Sequence, residues 1–211
     1  SYEGTLAEVA PTPNIDRIAK EGAVFLNSFC GNSICGPSLA TILTGKHSHK
    51  NGFKRNGNRF DPEQMTFPKL LQKVGYRTAV FGKWHLGTNP TGFDKWMVYP
   101  GQGSYYKPDY ITPEGKKVIP GYSVEVTTDL AIEFLSKQKK DDPFLLMCQY
   151  KAPHRNWMPG PKYLTKYDGV SIPEPETLFD DYSKRASVLG KHKMGIDAHM
   201  SFFYDLKRSE E

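Results

Sequence analysis

The sequence predicts an α/β architecture, a mostly parallel sheet flanked by helices. Three observations carry that expectation. Stretches with apolar residues at helical spacing alternate with short, nearly continuous apolar runs. The helical stretches end on glycine, and two of the apolar runs are followed at once by a lysine and a histidine. Continuous rather than alternating apolar strands are those of a sheet covered on both faces. With 211 residues there is room for one sizeable core, and 13% aromatic content excludes disorder along the whole length.

The elements follow in order. Thr12 is a cap residue, Pro13 occupies the first helical position, and Ile15, Ile18 and Ala19 lead to a stop at Gly22, which predicts a short helix over 13–21. Residues 23–29 are apolar and aromatic enough for a strand, and a loop over 31–34 leads into Cys35. The run from Pro37 to Thr44 predicts a helix closed by Gly45, which puts Cys35 at a helix amino terminus.

A second unit has Phe67, Leu70, Leu71 and Val74 at helical spacing and Gly75 as its stop; a strand over 77–81 then runs into Gly82-Lys83-Trp84-His85-Leu86-Gly87. A third has a longer helix over 124–139, a turn at Asp141-Asp142-Pro143 and a strand over 144–150 that delivers Lys151-Ala152-Pro153-His154. Between them, 89–122 is rich in Gly, Pro and Tyr and reads as a long ordered loop or short irregular strands. From Pro173 onward no further βα unit is evident, so the sheet is expected to be unfinished where the chain stops. In such sheets binding groups collect beyond the carboxyl ends of the strands, where Lys83, His85, Lys151 and His154 fall.

Lysine and arginine exceed aspartate and glutamate by 28 to 23, a net +5 too small and too dispersed for a nucleic-acid binder. It suits an anionic substrate, and the densest basic stretch, 46–59, includes His49 and Arg59. No apolar run approaches the roughly 18 residues of a membrane span, and the first residues show no signal-peptide pattern. Cys30, Cys35 and Cys148 are odd in number and lack metal-ligand spacing, which supports neither a disulfide framework nor a zinc site and leaves the compartment open.

A cysteine at a helix amino terminus sits where amide donors and the helix dipole favour negative charge, so Cys35 is a candidate nucleophile. Lys83 and His85, two residues apart on an extended turn, face the same side and can converge on one anion.

These segments carry a resemblance. Cys35-x-Pro37-Ser38-x-x-x-x-Leu43-Thr44-Gly45 resembles the sulfatase signature whose cysteine is converted to formylglycine, with Leu39 standing where the family has arginine. The segment Gly75-Tyr76-x-Thr78, three residues, Gly82-Lys83-x-His85-x-Gly87 matches the second sulfatase signature at every fixed position. Lys151-Ala152-Pro153-His154-Arg155-Asn156-Trp157 and the loop from Tyr99 to Tyr106 are most similar to sulfatases acting on sulfated amino sugars.

The resemblance implies an alkaline-phosphatase-like fold and a sulfuric ester hydrolase of the N-acetylglucosamine-6-sulfatase or glycosaminoglycan type. Its nucleophile is a formylglycine at position 35, installed by a formylglycine-generating or sulfatase-maturating enzyme. It assigns catalysis to Cys35, Lys83, His85 and His154, and substrate contacts to His49, Lys151, Arg155 and Trp157. Calcium is the implied cofactor, with the formylglycine at 35 among its ligands. The aspartate pair of the first strand and the later Asp-Asn pair are not found in the sequence, so 1–211 is expected to be a partial catalytic domain lacking its metal-binding first strand and its last part. A periplasmic, secreted or lysosomal location follows from the family alone. Two alternatives stand beside this reading: a catalytically inactive, carbohydrate- or anion-binding remnant, suggested by Leu39 and the missing carboxylates, and a phosphatase or phosphonate hydrolase on the same fold.

Overall fold

The computed structural model describes residues 8–205, in two compact units, one formed by Phe29–Arg155 and the other by the described parts of Ser1–Ser28 and Asn156–Glu211. Residues 1–7, where the sequence shows no signal-peptide pattern, lie outside the described residues.

Strand β1 (Arg77–Lys83) is the spine of the larger unit, buried from Thr78 through Gly82. It pairs in parallel with β2 (Lys95–Tyr99) on one side and β5 (Phe144–Gln149) on the other, Val80 lying opposite Trp96 and Met147. Strand β3 (Asp109–Thr112) pairs antiparallel with β2, and β4 (Gly115–Val118) antiparallel with β3, which gives the order β4-β3-β2-β1-β5. The sheet is thus parallel across β5, β1 and β2, and antiparallel at the edge where β3 and β4 are added. The stretch 89–122 resolves into strands too short to show an alternation of their own.

Side chains alternate across β1, so its two faces meet different partners. Val80 packs into a cluster with Ala40 and Leu43 of α2 (Cys35–Thr44), Phe53, Trp84, Leu86 and Val98. Ala79 and Phe81 face the other way, against Ala131 and Phe134 of α5 (Ser123–Ser136), where the Phe81 and Phe134 rings meet edge to face at 6.3 Å. At the end of β2, Tyr99 and Tyr110 share the buried hydroxyl of Thr127 at 2.6 and 3.2 Å. Helix α4 (Phe67–Lys73) is tied to the start of β1 through Asp94, whose carboxylate accepts from Gln72 Nε2 at 2.6 Å and from Thr78 N at 2.7 Å. Gly82 is obligatory where β1 passes β5: its φ is +101°, and a Cβ there would lie 1.9 Å from the Gln149 carbonyl oxygen.

The smaller unit contains α1 (Pro13–Glu21), with proline in its first turn as the sequence predicts. The strand expected over 23–29 does not form: those residues are irregular, with Phe25 82%, Leu26 89% and Phe29 91% exposed. Apolar composition makes a strand only where a neighbouring strand offers its hydrogen bonds, and among the described residues none pairs with this run. From Pro173 onward the described residues form turns and short helical pieces.

Candidate active site

Three strand-to-turn junctions of the larger unit meet at the amino terminus of α2. Cys35 is the first residue of this ten-residue helix, whose first turn has neither an acidic residue nor a side-chain cap. The helix dipole therefore favours negative charge at position 35. Gly36 is held tightly: a Cβ there would come within 2.8 Å of the Phe53 ring and 3.0 Å of both Asn56 Oδ1 and the His85 carbonyl. Any larger residue would push the helix start off its neighbours.

The Cys35 thiol is surrounded by polar groups. His85 Nδ1 lies 3.2 Å from Sγ, on a residue whose φ is +55°. Asn56 Nδ2 donates to Sγ at 3.2 Å while Asn56 Oδ1 accepts from Gly36 N at 3.1 Å, so the backbone bond fixes which end of the amide faces the thiol. Gln102 Nε2 approaches at 3.8 Å. Burial pushes the thiol up, but the Asn56 bond, the Lys83 charge and the Gln102 bond outweigh it, and the net effect holds Cys35 below the ordinary thiol range.

Lys83, the last residue of β1, lines the same recess together with Ser38, Leu39, Gln149 and Tyr150. Partial burial pulls its ammonium down while the Cys35 charge pulls it back up. His154 enters from the turn after β5: Tyr105 Oη donates to its carbonyl at 2.6 Å, and its Nδ1–H donates to the Arg155 carbonyl, leaving Nε2 free to act. Both histidines lie below the usual imidazole range: His85 through burial, then Lys83 and His154, and His154 through burial, then Lys83, Lys151 and Arg155. They are neutral imidazoles at neutral pH, able to take a proton.

Lys151 is only 8% exposed; its ammonium stands 4.9 Å over the Tyr105 ring and donates to the Gln102 carbonyl at 3.4 Å. Cys35, Lys83, His85 and His154 are thus brought together, with Lys151 and Arg155 beside them. His49 is not part of this group: it sits on the short helix α3 (Ser48–Asn51), its ring stacked on His47 at 6.0 Å. Trp157 belongs to the smaller unit, where its N–H donates to the Asp205 carbonyl at 2.6 Å.

Sequence reasoning missed Asn56 and Gln102. Asn56 lay in the basic loop and Gln102 in the loop of amino-sugar character, and neither spacing nor periodicity marks a side-chain amide that reaches its target through the fold. Leu39 packs into the core cluster and lines the recess with an apolar wall. The buried amide oxygens of Gln102 and Gln149 have no hydrogen-bond partner among the described residues.

A bound calcium takes six to eight oxygen ligands, carboxylates prominent among them. Among the described residues no group of three or more His, Cys, Asp or Glu side chains could hold a metal ion, and the neighbours of Cys35 are cations, imidazoles and amides. These residues alone do not fit calcium.

A family model described as Sulfatase matches residues 2–192. The chain belongs to the sulfatase family. It is 47% identical over 210 residues to an N-acetylglucosamine-6-O-sulfatase of Bacteroides thetaiotaomicron, covering 98% of this chain and 37% of that protein. To the N-acetylgalactosamine-6-sulfatase of Homo sapiens it is 30% identical over 181 residues, 68% of this chain and 35% of the relative. A protein solved in complex with its substrate, D-glucosamine-2-N,6-O-disulfate, superposes with a TM-score of 0.88 at 48% identity, covering 93% of this chain and 40% of the other. The mixed sheet flanked by helices is therefore the alkaline-phosphatase-like fold of sulfatases, and the chain spans well under half the length of these relatives.

Proposed function

We propose that this chain is the nucleophile-bearing part of a sulfuric ester hydrolase that removes sulfate from a sulfated sugar of the N-acetylglucosamine-6-sulfate type. The observation that carries the reading is the 3.2 Å approach of His85 Nδ1 to the side chain at 35, at a helix amino terminus and under the charge of Lys83, within a sulfatase-family chain. The N-acetylglucosamine-6-O-sulfatase relative and the glucosamine-disulfate complex support the choice of sugar.

In this reading a maturating enzyme converts Cys35 to formylglycine, whose hydrate supplies a hydroxyl that attacks sulfur and a second hydroxyl whose deprotonation expels sulfate. Lys83 neutralises the sulfate oxygens that gain charge in the transition state. His85, held neutral beside position 35, accepts the proton released as the hydrate collapses. His154 contacts sulfate or protonates the departing sugar oxygen. Lys151 fixes the loop that carries Gln102 and adds positive charge, while Arg155 serves as an outer substrate contact. Calcium is the family's cation, and the carboxylates for it would come from outside the residues described. The test is a full-length form coexpressed with a formylglycine-generating enzyme: mass spectrometry of the peptide containing residue 35, and turnover of a chromogenic sulfate ester. Conversion with turnover is expected. An unmodified cysteine with no turnover overturns the proposal.

Leu39 on the recess wall favours a second reading, an inactive anion-binding relative. Leu39→Arg in the full-length form decides: a large gain in conversion or turnover belongs to an impaired enzyme, and no gain to a binder.

A further inference from the structure

Lys151 and His154 reach the reacting centre from the turn after β5, and one side chain of a different loop touches both. Tyr105 is only 4% exposed, and its hydroxyl donates to the His154 carbonyl at 2.6 Å. Its ring lies under the Lys151 ammonium, 4.9 Å from the centroid. Lys151 in turn donates to the Gln102 carbonyl, and Gln102 belongs to the loop that leads into Tyr105. A carbonyl oxygen has no hydrogen to give, so the bond runs from the tyrosine to the histidine main chain. Burial, with Tyr122 adding to it, pushes the Tyr105 hydroxyl up to about 12, so it keeps the proton it donates at physiological pH.

Tyr105 is itself fastened to the scaffold. The Ser123 N–H, at the fully buried start of α5, donates to the Tyr105 carbonyl at 2.7 Å, and the Lys107 N–H donates to the Gly121 carbonyl at 2.9 Å. Tyr106 and Tyr122 form an antiparallel bridge between these bonds, and the Tyr105 ring stacks on Tyr122 at 6.1 Å. Helix α5 packs on β1 through Ala131 and Phe134. Support therefore runs from the core through α5 to Tyr105, and from Tyr105 to the turn after β5. With its carbonyl held by Tyr105 and its Nδ1–H by the Arg155 carbonyl, His154 is constrained at main chain and ring alike.

We propose that Tyr105 is a positioning residue for the sulfatase reaction: through its hydroxyl it aims His154, and through its ring it holds Lys151 and with it the Gln102 loop. The inference rests on the sulfatase reading above and adds to it a residue that acts only through others.

Two substitutions separate the two contacts. Tyr105→Phe keeps the ring under Lys151 and removes only the bond to His154, whereas Tyr105→Leu removes both. Imidazole NMR of the 211-residue chain reads the first contact without any turnover. In Tyr105→Phe the His154 midpoint should rise toward the ordinary value of about 6.5 as the loosened turn admits water, and its Nδ1–H tautomer should give way to a mixture. Lys83, Lys151 and Arg155, the cations that bear on His154, are all retained in that variant. In the full-length, matured form Tyr105→Phe should lower kcat about tenfold and leave KM within about twofold, as expected for a group misaimed by the loss of one bond. Tyr105→Leu should lower kcat further and raise KM, and adding Lys151→Met to it should cost less than Lys151→Met costs alone. An unchanged His154 midpoint and tautomer in Tyr105→Phe, wild-type kinetics in that variant, or strictly additive losses with Lys151→Met overturns the positioning role. A matured wild-type form without turnover overturns the sulfatase reading, and the NMR arm then decides the coupling of Tyr105 to His154 by itself.

Discussion

Gly82→Ala is the sharpest single-residue test of how the strand ends are placed. Two costs add at this position. A side chain at φ +101° is strained by roughly 1–3 kcal/mol. Its Cβ would also stand 1.9 Å from the Gln149 carbonyl, roughly an ångström inside the closest tolerable contact, and overpacking of this kind costs about 1–3 kcal/mol more. The obstructing atom is backbone of a paired strand, so relief requires β1 and β5 to part where Gly82 faces Gln149. We expect a loss of about 2–6 kcal/mol, a large share of the ordinary stability of a small domain. Equilibrium urea denaturation followed by tryptophan fluorescence measures it. Gly57→Ala is the control: φ is again positive at +88°, but nothing lies within 4 Å of the added methyl, so only the conformational part, about 1–2 kcal/mol, should appear. Equal losses in the two variants would refute the steric argument.

Further outcomes follow from the same geometry. His85 and His154 should titrate below pH 6.5 by NMR, and Lys83→Met should raise the His85 midpoint by removing a nearby cation; an unmoved midpoint would refute the assignment. Because the folded values are lowered, the unfolded chain binds more protons over that window. Stability contributed by these imidazoles is therefore complete above about pH 6.5 and falls as pH drops toward the folded values, which pH-dependent denaturation should show as a slope that His85→Gln reduces. Peptide-resolved alkylation of Cys35 by iodoacetamide should have its midpoint below that of an ordinary thiol, and Asn56→Leu should move it upward. Thr127→Val keeps the shape but strips Tyr99 and Tyr110 of a shared partner, costing about 1–3 kcal/mol in the urea midpoint.

Much of this could be read before any coordinates, and the reasons are local. The helix at 13–21 announces itself through proline in the first turn and a glycine after the last, that at 67–73 through apolar residues at helical spacing ahead of Gly75, and β1 and β5 through apolar runs long enough to be covered on both faces. Cys35 heads a helix because Pro37 and Gly45 bound it. The nucleophile group was legible for a different reason, since its residues sit in fixed words at strand ends. What stayed hidden depends on chain closure. Strands β2 to β4 are four or five residues long in a stretch of turn formers, and β2 and β3 are paired only because β1 supplies the first neighbour. Asn56 reaches position 35 from 21 residues away, and only the bond from Gly36 reveals which way its amide points. The run 23–29 misled because its composition fits a strand and, among the described residues, no strand pairs with it.

The position of β5 at the end of the strand order has a practical consequence. One side of this strand is hydrogen-bonded to β1, and its other backbone edge pairs with no strand among the described residues, while Phe144 remains 44% exposed at its start. A parallel edge of six residues without a charged side chain is a template on which a second molecule can dock and continue the ladder. Self-association of the isolated polypeptide should therefore grow with concentration and begin at this margin, and a lysine placed at an outward position of β5 would act as a gatekeeper against it.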